Sequence, residues 1–100
     1  MVLQVKWTKE AKVQFKDIID YWDVRNNSTR YSQKLINIVD KAIARLLEFP
    51  EIGRVTENDR IRLKIIKNYF LYYSFNDTEL IVLGISDIRR YPNYLKSLLK

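Results

Sequence analysis

Arg60-Ile61-Arg62-Leu63-Lys64-Ile65 alternates a cation with an aliphatic residue at every step. A repeat of two is the period of a β-strand, with Ile61, Leu63 and Ile65 on one face and Arg60, Arg62 and Lys64 on the other. Most of the chain before this stretch repeats at helical spacing, so it marks the switch into a strand-forming half. Downstream, Lys67-Asn68 reads as a turn and Tyr69–Phe75 as an aromatic strand apolar on both faces. Asn76-Asp77-Thr78 is the next turn, and Leu80–Ile85 is a further buried strand. The three strands predict an antiparallel meander.

Upstream, Ala11, Phe15, Ile18 and Trp22 recur on one helical stripe. Thr8 is placed to cap that helix, Glu10 suits its positively polarised first turn, and the pattern runs to about Arg25. Asn26-Asn27-Ser28 breaks it and offers a cap for a second helix, in which Tyr31, Leu35, Ile38, Ala42, Leu46 and Phe49 repeat, flanked by Ile36, Val39 and Ile43. So wide an apolar face packs on both a partner helix and a sheet. Pro50 disfavours the α conformation at Phe49 and ends the helix there. Val2–Trp7 reads as an opening strand, and Pro92 starts a final helical turn that Leu95, Leu98 and Leu99 can dock. The prediction is an α+β fold in the order β-α-α-β-β-β, a helical hairpin packed on an antiparallel sheet with a short C-terminal tail.

The chain has 100 residues, no Cys and no His. That excludes a Cys/His zinc site, an iron–sulfur cluster, a Cys nucleophile and a Ser-His-Asp triad, and no metal or cofactor is expected. Length and composition predict one domain over residues 1–100, and the lack of a long apolar run predicts a cytoplasmic protein with no membrane partner. The net charge is +6, but two segments carry cations and no acid: Arg60–Asn76 and Ile88–Lys100. Such clustering predicts a polyanionic partner, nucleic acid or an acidic protein surface. There is no GXXG loop and no glycine-aromatic stretch of the kind that marks small RNA-binding modules.

The opening strand ending in Trp7-Thr8, the first helix with Ala11 and Phe15-Lys16-Asp17-Ile18, and the second helix closing as Leu47-Glu48-Phe49-Pro50-Glu51-Ile52-Gly53-Arg54 resemble the RelE/ParE superfamily of bacterial toxins. The second half agrees, with Tyr69-Phe70-Leu71-Tyr72-Tyr73, the strand Leu80–Ile85, then Asp87-Ile88-Arg89-Arg90-Tyr91-Pro92. The resemblance covers essentially the whole chain, and the joint order and spacing of these pieces carry it. It implies the growth-inhibiting toxin of a type II toxin–antitoxin pair, neutralised by a small antitoxin in a complex that is oligomeric. ParE-like members of the superfamily inhibit DNA gyrase; RelE-like members cut mRNA on the ribosome as metal-independent endoribonucleases. Both activities use one fold, so fold does not choose between them.

A ribonuclease needs a group to activate the ribose 2′-hydroxyl, cations for the developing phosphorane charge, and an acid for the leaving oxygen. Arg62 and Lys64, with Arg89 or Arg90, supply a candidate cationic clamp; Tyr91 or Tyr94 supplies a proton-transfer group, beside Asp87 and Glu79. RelE-like nucleases commonly carry an Arg after the Tyr that opens the third strand, and many carry a His before the terminal Arg pair. This chain has Phe70 and Asp87-Ile88 there. Losing one preorganised charge contact costs roughly 10²–10³ in rate, so these departures favour a ParE-like mode, with RelE-like cleavage as the alternative. Without any site, Arg62 and Lys64 cover the solvent side of a strand, Asp87 pairs with Arg89 or Arg90, and Tyr69, Tyr72 and Tyr73 are core, as are Trp7 and Trp22.

Overall fold

The computed structural model describes residues 3–98. Val2 of the expected opening strand, and Leu99 and Lys100 of the tail, lie outside them. The chain leaves strand β1 (Gln4–Trp7) at Thr8, which joins three elements. Its amide donates to Val82 O (3.1 Å), its hydroxyl donates to Leu83 O (3.3 Å), and the same oxygen accepts the Ala11 N–H (3.1 Å). The last bond caps α1 (Lys9–Asn26), as Thr8 predicts. Asn27, in the left-handed region at φ 49°, ends the helix; asparagine tolerates that conformation better than most residues. Ser28 Oγ accepts the Arg30 N–H at the start of α2 (Arg30–Glu48), and Ser32 Oγ donates to Asp23, tying the two helices near their turn.

Five strands follow the order β1-β5-β4-β3-β2 across one sheet: β2 Arg54–Val55, β3 Arg62–Ile66, β4 Tyr69–Phe75 and β5 Glu79–Asp87. Neighbours are antiparallel except β1, which lies parallel to β5 at one edge. The predicted α+β class and the meander hold. The two-residue β2 was not anticipated, and a six-residue α3 (Asn93–Leu98) follows Pro92.

Both faces of the sheet are covered. On one, Leu35, Val39, Ile43 and Leu46 of α2 and Ala11 of α1 bury against Leu71, Tyr73, Val82 and Ile85. Each large aliphatic side chain contributes roughly 1.5–3 kcal/mol by leaving water. On the other, Tyr94 and Leu95 of α3 cover Ile61, Leu63 and Tyr72. Three expectations change. Ile65, expected beside Ile61 and Leu63 on the buried face, is 59% exposed because α3 does not reach it, while Ile66 is buried under the helices. Arg60 precedes the strand instead of starting it. Phe49, expected on the α2 stripe, is exposed with the Arg45 guanidinium over its ring.

In β5 the register steps from Tyr72↔Gly84 to Tyr73↔Val82, leaving Leu83 as an extra residue. The bulge switches which parity of β5 faces the helices: Leu80 and Val82 before it, Ile85 after it. Gly84 sits beside the bulge, where an added β-carbon would collide with the Tyr94 hydroxyl.

Candidate functional site

Arg62 and Lys64 pair across the ladder with Tyr73 and Leu71, so they stand on the helix-covered face of the sheet. This corrects the expectation that they coat its solvent side. Helix α2 stops at Glu48, and the 3-10 turn Pro50–Ile52 roofs that end of the face. Arg62 Nη1 donates to Glu51 O (3.0 Å) and Gly53 O (2.9 Å), with its guanidinium 6.0 Å from the Phe75 ring centre. The Tyr73 hydroxyl donates to Pro50 O (2.7 Å) and accepts the Gly53 N–H (2.9 Å). Burial pushes the Tyr73 phenol above the usual range. Arg62 is thus engaged with backbone carbonyls, while Lys64 is half-exposed without an acid partner among the described residues.

The second group follows β5. Asp87 caps the 3-10 turn Ile88–Arg90, accepting the Arg89 N–H (2.8 Å), and grips the Arg89 guanidinium through both oxygens at 2.9 Å. Arg89 therefore holds the Asp87 carboxyl below its ordinary range. This is the pairing the sequence reading allowed. Glu79, at the other end of β5, pairs with Lys6 at 2.9 Å. The Arg90 guanidinium lies 5.1 Å from the Tyr94 ring centre, and Tyr91 is exposed with its ring edge-on to Phe70.

Tyr94 is buried. Its hydroxyl donates to Gln14 Oε1, which also accepts the Ile85 N–H (3.1 Å) where β1 has ended and β5 would otherwise have a free amide. Burial pushes the Tyr94 phenol up to about 12.

The structure does not bring the six candidates together. The ladder aligns Arg62 with Tyr73 and Val82, but Ile66 with Tyr69 and Asp87. Arg62 and Asp87 are thus separated by roughly 13 Å along the strands and roughly 10 Å across them. Lys64 stands with Arg62 on the helix face, whereas Tyr94 belongs to the opposite face. Arg90 lies over Tyr94, and Phe70 and Tyr72 link the Tyr91 ring to that of Tyr94. Among the described residues no three His, Cys, Asp or Glu side chains cluster as a metal site, and no helix is long and apolar enough to cross a membrane.

A cleft of about 440 Å³ lies at the Asp87 end, between the last turns of α1 and the β3–β4 turn, lined by Tyr21, Trp22, Arg25, Asn68, Tyr69 and Arg89 among others. Trp22 Nε1 donates to the Tyr69 hydroxyl (2.8 Å) at its floor. The sequence reading missed Tyr21 and Arg25, because it followed only the buried stripe of α1.

A family model of the ParE toxin of type II toxin–antitoxin systems, parDE, matches residues 5–91. Among solved structures, the chromosomal ParDE toxin–antitoxin system from P. aeruginosa matches with a TM-score of 0.73 at 18% identity, covering 87% of this chain and 97% of that one. At that identity the likeness is one of fold. No curated protein matches the sequence.

Proposed function

From the premise that this chain belongs to the ParE toxin family of type II toxin–antitoxin systems, we propose that it arrests growth by binding a protein target such as DNA gyrase, and that a small antitoxin neutralises it in an oligomeric complex. We place this activity in the cytoplasm, in one domain. The observation that carries the reading is the separation of Arg62 and Lys64 from the candidates that follow β5, Arg89, Arg90, Tyr91 and Tyr94. Cleavage beside a ribose 2′-hydroxyl requires a base, a cationic clamp and an acid within hydrogen-bond reach of one phosphate. Here Arg62 is held by two carbonyls, Arg89 by Asp87, and Tyr94 is a buried phenol with its proton given to Gln14. Phe70 adds an aromatic edge where RelE-like nucleases carry an Arg.

A binding toxin needs none of that convergence. It needs a surface of about 800 Å² for its target. Purified chain titrated into a gyrase supercoiling reaction tests the reading: inhibition that added antitoxin reverses is the expected result. Full supercoiling at every toxin concentration would remove gyrase as the target.

A further inference from the structure

The cleft at the Asp87 end combines aromatic walls with cations. Tyr21 and Trp22 stand on it from α1, their ring centres 5.1 Å apart and their planes at 85°, and Tyr69 closes the floor through its bond from Trp22 Nε1. Tyr21 is 55% exposed, although Trp22 beside it belongs to the packed side of the helix. An exposed ring at the mouth of a cavity offers a planar base a stacking partner.

The polar groups come from three elements. Arg25 follows Tyr21 by one helical turn, with Nη1 3.5 Å from the Tyr21 hydroxyl and no acid partner among the described residues. Arg89 reaches in from the turn after β5. Asp87 accepts from its Nε and Nη2, which fixes the plane of the guanidinium and leaves the Nη1 edge open. Asn68 lines the cleft from the β3–β4 turn, next to Lys67, whose φ of 57° is a left-handed conformation that lysine rarely adopts. Two guanidinium groups thus face a single carboxylate, and the cleft keeps a positive surplus.

The volume, about 440 Å³, is that of a small-molecule site. We infer that the cleft binds one nucleotide unit, with the base against the Tyr21 ring, the base edge read by the Asn68 amide, and the phosphate between Arg25 and Arg89. The adjoining hollow of about 310 Å³ sets Asp17 against Arg90, so it has no surplus charge for a second phosphate. An acidic peptide is the poorer occupant, because its carboxylates would satisfy the arginines but make no use of two perpendicular ring walls with an amide beside them. Free nucleotides and an unpaired nucleotide of a strand carry the same chemistry. The cleft lies with Tyr69 on the helix side of the sheet, apart from Tyr94 on the other face, and does not depend on which target the toxin binds.

The test titrates the full chain with nucleoside 5′-monophosphates by calorimetry. In a Trp7→Phe background Trp22 is the only tryptophan, so quenching of its emission reports on the cleft. At least one monophosphate should bind saturably and quench Trp22. Tyr21→Ala and Arg25→Gln should each weaken binding about tenfold or more, with unchanged circular dichroism. Lys12→Gln, on the far side of α1 beside Trp7, should alter it less than twofold. A single-stranded oligonucleotide that binds tighter than the monophosphate, with the same sensitivities, assigns the site to strands; equal or weaker binding assigns it to free nucleotides, and both outcomes support the site. No binding of monophosphate or oligonucleotide in the millimolar range would overturn it. Tyr21 and Arg25 variants that bind as the parent does would also overturn it, as would equal weakening by all three variants, since the attraction would then be general charge. So would ribose 5-phosphate binding as tightly as a monophosphate, which leaves the base no role, or an acidic peptide with one phenylalanine binding tenfold tighter than any nucleotide.

Discussion

The hydroxyl of Tyr73 lies 2.9 Å from the amide nitrogen of Gly53, twenty residues earlier in the chain, and the glycine has no side chain because that hydroxyl occupies its place. Gly53 has an ordinary extended backbone, so space and not conformation demands glycine here. A β-carbon would stand 2.6 Å from Tyr73 Cε1 and collide with the hydroxyl. Gly53→Ala should therefore cost about 1–3 kcal/mol by overpacking. Tyr73→Phe should cost a similar amount, by leaving the Gly53 N–H and the Pro50 carbonyl unpaired in a buried setting. Urea denaturation of both variants checks this; loss of less than half a kcal/mol in both would mean the 3-10 turn is not held by this contact.

Arg62 holds the same segment from the other side through Glu51 O and Gly53 O. Arg62→Ala should lower stability by about 1–2 kcal/mol, since charge-assisted hydrogen bonds to carbonyls are lost from a half-buried position. Arg62→Lys should recover only part of it, because an ammonium cannot reproduce the planar fork. A thermal melt of the three proteins separates this latch from a solvent-coating arginine, for which all three would melt together.

The phenol of Tyr94 is pushed up to about 12 by burial, and burial also raises Tyr69, Tyr72 and Tyr73. An unfolded tyrosine ionises near 10, so the unfolded chain releases these protons first as pH rises. The stabilisation is complete below about pH 10 and is lost as pH climbs through about 12. Urea midpoints across that range should fall steeply, and tyrosinate absorbance should show a late-titrating fraction coincident with unfolding. Tyr94→Phe should reduce the steepness while costing about 0.5–1.5 kcal/mol at neutral pH for the bond to Gln14.

Much of this architecture can be read from residue order. Thr8 and Pro50 bound their helices for local reasons, and Ala11, Phe15, Ile18 and Trp22 mark the inward stripe of α1 because a helix on a sheet has one dry side. The β5 bulge was not readable: Leu80–Ile85 is apolar throughout, and a continuous apolar run carries no sign of a parity switch. Nor does alternation in β3 say which face is covered. Arg62 and Lys64 share a face whether helices or water lie above it, and here α2 stops short while the turn after Pro50 supplies carbonyls instead. Tyr94 was readable as a phenol, but its burial depends on Gly84 and Gln14, ten and eighty residues away.

Phe70 offers a gain-of-function control. Its ring packs edge-on against Tyr72 and Tyr91, on the face covered by α3. Phe70→Arg places an arginine where RelE-like nucleases carry one, yet Arg62 and Lys64 stand on the other face of the sheet. The variant should melt several degrees lower, at about 4–8 °C per kcal/mol for a domain this size, and should cleave no mRNA in a translation extract. Appearance of codon-specific cleavage would show that a single missing charge had silenced a nuclease.

The deciding measurement is a transcriptome-wide map of new mRNA 5′ ends in bacteria minutes after this chain is induced, with growth followed in the same culture. A toxin that works by occupying a protein target stops growth while the map stays that of the uninduced cells. New ends concentrated within translated codons, appearing before growth slows, would contradict it and make the chain a ribonuclease.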